Sequence, residues 1–325
     1  MLNKAQIKKV ILSKFPNSKI ESIKEFSEGY NNIVYDVRLN DKRLVFKLIK
    51  LGKKRKLALK QKRLKDLMIK KYKEFPIAEI IDFDFSEERF GFPYLILERI
   101  NGDSLKSKFE EIKNKEELFK KLGEIYGKIH SIKFEKYGEL DSELNLFNEY
   151  SNWYEKKCIK IEEIFDKIKG KSLLPKDDFE NQSNYFNKNK EILKIETKPT
   201  LCHGDASDTN ILVESNGNKF EIKGIIDFEF LRSSGATEDL FNGFEFSKQK
   251  LKFRNSMIKG YLKFSELPEG WEKLVNFYQW IKNLNRISNI DSMSWRNLSE
   301  QETIERKNKM KRKTLKDLRE IASRK

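Results

Sequence analysis

The sequence predicts an α+β protein of two lobes, a five-stranded antiparallel sheet in the first hundred residues and a mainly helical remainder. Three observations carry this expectation. At 325 residues the chain exceeds the roughly 100–200 residues that one core usually serves. Its first hundred residues hold five short runs rich in Ile, Val, Phe and Tyr, separated by turn residues. After Ser104 the apolar residues recur at helical spacing instead.

In chain order, residues 1–16 read as an amphipathic helix with Leu2, Ile7, Val10, Ile11 and Phe15 on one side. Lysines interrupt it, so the continuous apolar core of a signal peptide is missing. Strands are expected over 19–26, 33–39 and 43–49, parted by Glu28-Gly29 and Asn40-Asp41. A basic helix over 53–72 carries Leu57, Leu64, Leu67 and Met68 among lysines and arginines, and Phe75-Pro76 stops it. Strands over 77–85 and 92–100 complete the sheet. Leu118, Leu122, Ile125 and Ile129 then mark a helix over 116–132, with further helices over 141–168 and 177–193 around a loop at 170–175. Beta character returns at 200–213, and strands over 210–213 and 220–228 flank Ser215-Asn216-Gly217-Asn218. There Asn-Gly predicts a hairpin with positive φ at both central residues. Helices over 238–246, 250–264, 271–290 and 301–321 close the chain.

Hydrophobic residues make up 38% of the chain, with 24 Phe and 11 Tyr, enough for packed cores, so disorder is not expected. The net charge of +16 raises the question of a polyanion partner, although lysine-rich faces are also common as solvated surface. No RNA-binding-sheet, zinc-finger or leucine-zipper pattern accompanies the charge, which argues against a nucleic-acid role. Cys158 and Cys202 stand far apart, offer no disulfide framework and suit a reducing compartment. No run of about 18 apolar residues occurs, so no membrane span and a cytoplasmic location are expected.

Two carboxylates and an amide carry the chemistry: Asp205, Asn210 five positions later, and Asp227 after the predicted hairpin. Phosphoryl transfer asks little covalent work of a protein, chiefly a base beside the attacking hydroxyl and oxygen ligands that hold magnesium against phosphates. Asp205 suits the first task. Asn210 and Asp227 offer the hard oxygen atoms that magnesium prefers.

The run His203-Gly204-Asp205-Ala206-Ser207-Asp208-Thr209-Asn210-Ile211-Leu212, with Ile225-Ile226-Asp227-Phe228-Glu229, resembles the catalytic and metal-binding loops of the aminoglycoside phosphotransferase and choline kinase family. Gly29-Tyr30-Asn31-Asn32-Ile33-Val34-Tyr35-Asp36-Val37 is similar to that family's nucleotide loop. Lys47 stands where its phosphate-binding lysine lies, residues 95–102 resemble its hinge, residues 122–130 the helix that ends in His, and Asp239-Leu240 its last anchor. The resemblance runs over about residues 20–240. It implies a protein-kinase-like fold with a nucleotide-binding lobe at 1–100 and a helical lobe at 101–325 that holds the catalytic loops and a substrate pocket. It also implies ATP, or GTP, as donor and Mg2+ as cofactor. Gly29, Asn32, Lys47, Glu98 and Ile100 would then bind nucleotide together with Asn210 and Asp227. The last two would also hold the metal, and Asp205 would be catalytic.

Alone, a His-Gly-Asp or Asp-Phe-Glu triplet is as easily a turn or strand end; several elements in order are much more specific. His203 reads better as a loop-orienting hydrogen-bonder than as a nucleophile, since only His130 could join it. Lys47 could be a solvated strand lysine, but alternation places it on one face with Val45 and Ile49. Gly170-Lys171-Ser172 invites a phosphate loop, yet Phe165 occupies the position of the required first glycine. Two departures from the family stand out. Residues 60–66 lack the helix glutamate that normally pairs with the lysine, leaving Gln61 as a neutral hydrogen-bonder and the lysine anchor weakened or repositioned. Ala236 replaces a proline.

Ser207 in place of a lysine after the catalytic Asp, Glu229 in place of the Gly of Asp-Phe-Gly, and the lack of an Ala-Pro-Glu segment separate the chain from protein kinases. The expected activity is transfer of the ATP γ-phosphate to a hydroxyl of a small molecule, an aminoglycoside-like antibiotic, a sugar or an amino alcohol. Glu229, Glu238, Asp239, Asp177 and Asp178 are the carboxylates that could receive a polycation, with Asp239 read rather as a structural partner of the catalytic loop. The competing readings are a protein kinase and a kinase-shaped binding protein without turnover.

Overall fold

The computed structural model describes residues 4–26, 33–49, 59–196, 198–242, 251–293, 295 and 298–323. The first part comprises α1 (Lys4–Lys14), β1 (Ile20–Glu25), β2 (Ile33–Leu39), β3 (Arg43–Leu48), α2 (Lys60–Tyr72), β4 (Ile80–Asp84) and β5 (Tyr94–Glu98). The five strands form one sheet in the order β1-β2-β3-β5-β4, every neighbouring pair antiparallel.

Strand alternation decides what each face of this sheet does. Leu44 and Phe46 of β3 point to the side where Tyr35, Val37, Tyr94 and Ile96 close over Ile7, Val10 and Ile11 of α1. Those three helix residues are fully buried at i, i+3 and i+4, so α1 caps one face completely. Val45 and Ile49 lie with Leu95 and Leu97 on the opposite side. Lys47 shares their parity and therefore stands on the face that α1 does not cover.

The second part follows as β6 (Asp103–Ser104), α3 (Leu105–Lys108), α4 (Lys115–His130), β7 (Tyr137–Leu140), β8 (Leu146–Tyr150), α5 (Trp153–Gly170) and α6 (Lys176–Asn189). A 3-10 turn over Lys190–Ile195 leads to β9 (Pro199–Cys202), β10 (Ile211–Asn216), β11 (Lys219–Ile225) and β12 (Arg232–Gly235). The chain then continues through α7 (Ala236–Asn242), α8 (Leu251–Tyr261), α9 (Trp271–Asn289) and α10 (Glu300–Ala322). Small sheets ordered β11-β10-β6 and β8-β7-β12-β9 sit among the helices. No described helix is long and apolar enough to cross a membrane.

Two helical cores hold this part together. One joins α5, α6, α9 and α10 around Phe165, Phe186, Tyr278 and Trp280. The other packs α4 against α8 and extends to Leu64 and Met68 of α2, Ile225, Phe228 and Leu231. The α4–α8 contact is close enough to require glycine: a Cβ on Gly123 would lie 1.8 Å from the Met257 carbonyl oxygen. One on Gly260 would lie 1.8 Å from that of Lys120.

The structure departs from the sequence expectation in two of the places it describes, and one further expectation falls outside the described residues. Residues 141–152 are not helical; Asp141 accepts backbone N–H bonds from Glu143 and Asn145 in a turn, and β8 pairs with β7 instead. Tyr137, Tyr150 and Trp153 stack across that hairpin, and Asn152 caps α5 by accepting the Glu155 N–H. Aromatic pairing across strands outweighed the helical spacing. The β10–β11 loop is Gly217-Asn218 between Asn216 and Lys219, with positive φ recorded at Gly217 alone, so the turn sits one residue later than Asn-Gly suggested. Finally, α2 begins at Lys60; the expected helical residues 53–58 lie outside the described residues.

Candidate active site

The loop of residues 203–210 runs between β9 and β10, and the β10–β11 hairpin returns the chain beside its end. Ile211 pairs with Ile225, and the Ile226 N–H donates to the Asn210 carbonyl at 3.0 Å. That register sets Asn210 just before β10 and Asp227 just after β11, seventeen residues apart in sequence but at the same end of two paired strands. Asp227 itself has φ 72 and ψ 51, a left-handed conformation uncommon for a non-glycine residue, from which the chain turns at once into a 3-10 turn over Phe228–Phe230.

Buried polar groups hold the loop. Asp239 at the start of α7 accepts the N–H of His203 at 2.7 Å and that of Gly204 at 2.8 Å, and its Oδ2 also meets His130 Nε2 at 3.0 Å. Burial works to raise the Asp239 pKa, but these bonds and the neighbouring histidines outweigh it and hold the carboxyl below the ordinary range. His203 is fully buried; Nε2 donates to the Ile226 carbonyl at 3.0 Å and Nδ1 accepts the Asp205 N–H at 3.2 Å. A carbonyl can only accept and an amide N–H only donate, so the neutral Nε2–H tautomer fits both. His203 thereby ties the 203–210 loop to the end of β11 that leads into Asp227. Gly204 has φ 81, and a Cβ there would lie 2.1 Å from the Phe230 carbonyl oxygen, so only glycine lets the two loops meet.

Asp205 presents its side chain to solvent from this frame. Asn210 Nδ2 donates to the Asp205 carbonyl at 2.9 Å and to its Oδ2 at 3.1 Å. Loss of hydration from the surrounding protein, with the charges of Asp227 and Asp239, pushes the Asp205 pKa up; the Asn210 bond opposes the rise. Lys47 Nζ lies 3.3 Å from Asp227 Oδ1, both side chains being partly buried. The five-stranded sheet and the β10–β11 hairpin thus meet through an ion pair bridging 180 residues of sequence.

Among the described residues, Asp227 is the carboxylate that Lys47 pairs with, and α2 supplies none. Gln61 does not reach Lys47: its amide donates to the Ala78 carbonyl at 2.8 Å. Its neighbour Lys60 donates to the Leu231 carbonyl at 2.9 Å. Gly29 and Asn32 lie outside the described residues. Glu98 ends β5, its N–H bonded to the Glu79 carbonyl at 2.9 Å. Ile100 follows in the connection to β6, its side chain filling the space above Gly224 and its carbonyl accepting from the Arg99 guanidinium. Since β6 pairs with β10 through Ser104 and Leu212, the chain that leaves the sheet joins the β10–β11 hairpin directly.

Most carboxylates offered for a polycation are already engaged. Glu238 is buried and paired with Lys157, Asp178 is paired with Arg319 at 2.7 Å, and Asp239 holds the 203–210 loop. Asp177 is exposed on α6. Glu229, two residues past Asp227, is partly buried. Folding also gathers His130, Cys202 and Asp239 within 4.8 Å, which their sequence separation concealed. His130 is held between Tyr261 and Asp239, and Cys202 bonds the Gly235 carbonyl at 3.6 Å, so each already has protein partners. Sequence reading also missed Lys60 and Glu196. A signal for the first existed: Lys60, Leu64 and Met68 fall at i, i+4 and i+8, which places a lysine on a buried stripe.

The sequence profile described as "Phosphotransferase enzyme family" matches residues 22–274. No curated protein matches the chain. Among solved structures, the GDP complex of aminoglycoside 2'-phosphotransferase-IIIa superposes with a TM-score of 0.70 at 16% identity, covering 97% of this chain and 99% of that one. A Thermobifida fusca protein provisionally described as fructosamine-3-kinase gives 0.60 at 15% identity, covering 97% and 100%. Aminoglycoside phosphotransferase APH(4)-Ia, in a ternary complex with ADP and hygromycin B, gives 0.64 at 13% identity, covering 98% of each chain. These likenesses establish a protein-kinase-like fold. The chain belongs to the phosphotransferase enzyme family. It is accordingly an enzyme of the small-molecule kinase class.

Proposed function

We propose that the chain transfers the γ-phosphate of ATP, or of GTP, to a hydroxyl of a small molecule in the cytoplasm, with residues 1–100 holding the nucleotide and 101–325 the acceptor. The observation that carries this reading is the convergence of Lys47, Asp205, Asn210 and Asp227 on one edge, with Asn210 bonded to Asp205 and Lys47 to Asp227. In it Lys47 exchanges Asp227 for the α and β phosphates, which offer a lysine more negative charge. Backbone groups of Glu98 to Ile100 meet the base, and Gly29 and Asn32 belong to the loop over the phosphates.

Asp205 orients the acceptor hydroxyl and takes its proton at a carboxylate oxygen. A raised pKa makes it a better proton acceptor. The donor set fits magnesium: the Asn210 amide nitrogen is committed to Asp205, which leaves its oxygen, beside an Asp227 carboxylate, as hard ligands. Bound there, magnesium would neutralise phosphate charge. The known ligands of structural relatives, GDP, ADP, kanamycin and hygromycin B, support a nucleotide donor and an aminoglycoside-like acceptor, with a sugar or an amino alcohol as the other acceptors of this reading.

The test is phosphotransfer from ATP and GTP, with Mg2+, to aminoglycosides, macrolides, choline-like amino alcohols and sugars. Asp205→Asn should lower turnover of the accepted substrate by at least roughly a hundredfold while nucleotide affinity stays close to native. Equal turnover in that variant defeats the assignment of Asp205.

A further inference from the structure

Lys60, the first residue of α2, is 4% exposed and shares its stripe with the fully buried Leu64 and Met68. An ammonium placed there needs an acceptor, and it has one: Nζ donates to the Leu231 carbonyl at 2.9 Å. Leu231 closes the turn that starts at Asp227, its own N–H bonding the Phe228 carbonyl at 3.3 Å. Phe228 packs on the His203 ring with centroids 4.6 Å apart. The next residue, Arg232, begins β12 opposite Cys202, where β9 runs into the catalytic loop. The Leu231 carbonyl therefore stands at the junction of the Asp227 turn and the strand that flanks the loop of Asp205.

Burial, with Arg232, works against the charge and pulls the Lys60 pKa down to about 8, while Glu139 of β7, Asp141 in the following turn and Glu229 of the Asp227 turn partly offset it. Lys47 meanwhile makes its ion pair with Asp227 and not with α2.

We propose that Lys60 is a positioning residue: it fastens α2 to the turn that presents Asp227, the link that a helix carboxylate paired with the strand lysine would otherwise provide. The idea rests on the phosphotransferase reading of Asp227 as a magnesium ligand. A hydrogen bond from a charged donor fixes the turn at its far end, so Asp227 approaches the metal in one geometry, without Lys60 touching nucleotide or metal.

The test uses the full chain as native protein, Lys60→Met and Lys60→Arg, with ADP titrated calorimetrically in the presence and absence of Mg2+. Methionine fills the buried stem space and removes the donor; arginine restores one. The native protein should bind ADP more tightly with Mg2+. Lys60→Met should lose at least about fivefold of that gain, with metal-free affinity within about twofold of native, and Lys60→Arg should recover most of it. An undiminished magnesium gain in Lys60→Met overturns the proposal, as does an equal loss with and without metal, which would mark a merely structural lysine. A native protein whose ADP affinity ignores Mg2+ refutes the underlying reading of Asp227 instead.

Discussion

Replacing Asp239 by Asn should release the anchor of the 203–210 loop. The carboxylate serves three donors: Oδ2 takes the His203 N–H and faces His130 Nε2, and Oδ1 takes the Gly204 N–H. An asparagine can keep its oxygen on the Oδ2 side, but its NH2 then confronts the Gly204 N–H, donor against donor. Hydrogen bonds to a charged group contribute about 1.5–3 kcal/mol each, and leaving a buried donor unpaired costs about 1–3 kcal/mol. Loss of the Gly204 bond and weakening of the other two therefore amounts to about 3–5 kcal/mol, a large share of the roughly 5–15 kcal/mol that a folded domain has. Urea unfolding followed by circular dichroism measures it. Asp178→Asn is the control: that carboxylate binds Arg319 bidentately, but the arginine is 60% exposed, so the cost should be no more than about 1 kcal/mol. If the two variants unfold at the same urea concentration, the account of Asp239 as anchor is wrong.

Two further outcomes concern packing and protonation. Gly123→Ala sets a methyl group 1.8 Å from the Met257 carbonyl oxygen, so α4 and α8 must separate; a loss of about 3 kcal/mol or more in the same urea assay is expected, and a loss under about 1 kcal/mol would contradict the packing described. Glu196 is buried, and that burial, aided by Glu238, lifts its pKa from 4.5 to about 7 against the Thr237 bonds and Lys157. Between those values the folded chain holds a proton that the unfolded chain has released, so the stabilising contribution present below pH 4.5 is lost as pH rises through about 7. Glu196→Gln keeps an acceptor for the Thr237 N–H and removes the titration. Its melting temperature should fall less than that of the native protein between pH 5 and 8; parallel curves would show that Glu196 does not titrate there.

Local chemistry made much of this protein legible. Period-2 alternation in 43–49 determined which face Lys47 occupies, because successive strand residues must point to opposite sides whatever the rest of the chain does. The turn residues at 215–218 announced the hairpin that unites Asn210 and Asp227, although the strand register shifted its loop by one residue. His203 as an orienting group was likewise readable, since only His130 could join it as a metal ligand, whereas Asp239 as a structural partner came from the family resemblance.

What sequence by itself determined, then, is the sheet, most of the helices and the polar residues that suit phosphoryl transfer, all properties of neighbours along the chain. Tertiary structure decided the rest. It chose strand over helix at 146–150, because stacking of Tyr137, Tyr150 and Trp153 is a contact between segments and has no local signature. It assigned Lys47 to Asp227, sent Gln61 to Ala78 and Lys60 to Leu231, and gathered His130, Cys202 and Asp239. A buried polar group must find its partner wherever folding delivers one, and that partner can be 171 residues away, as Leu231 is from Lys60.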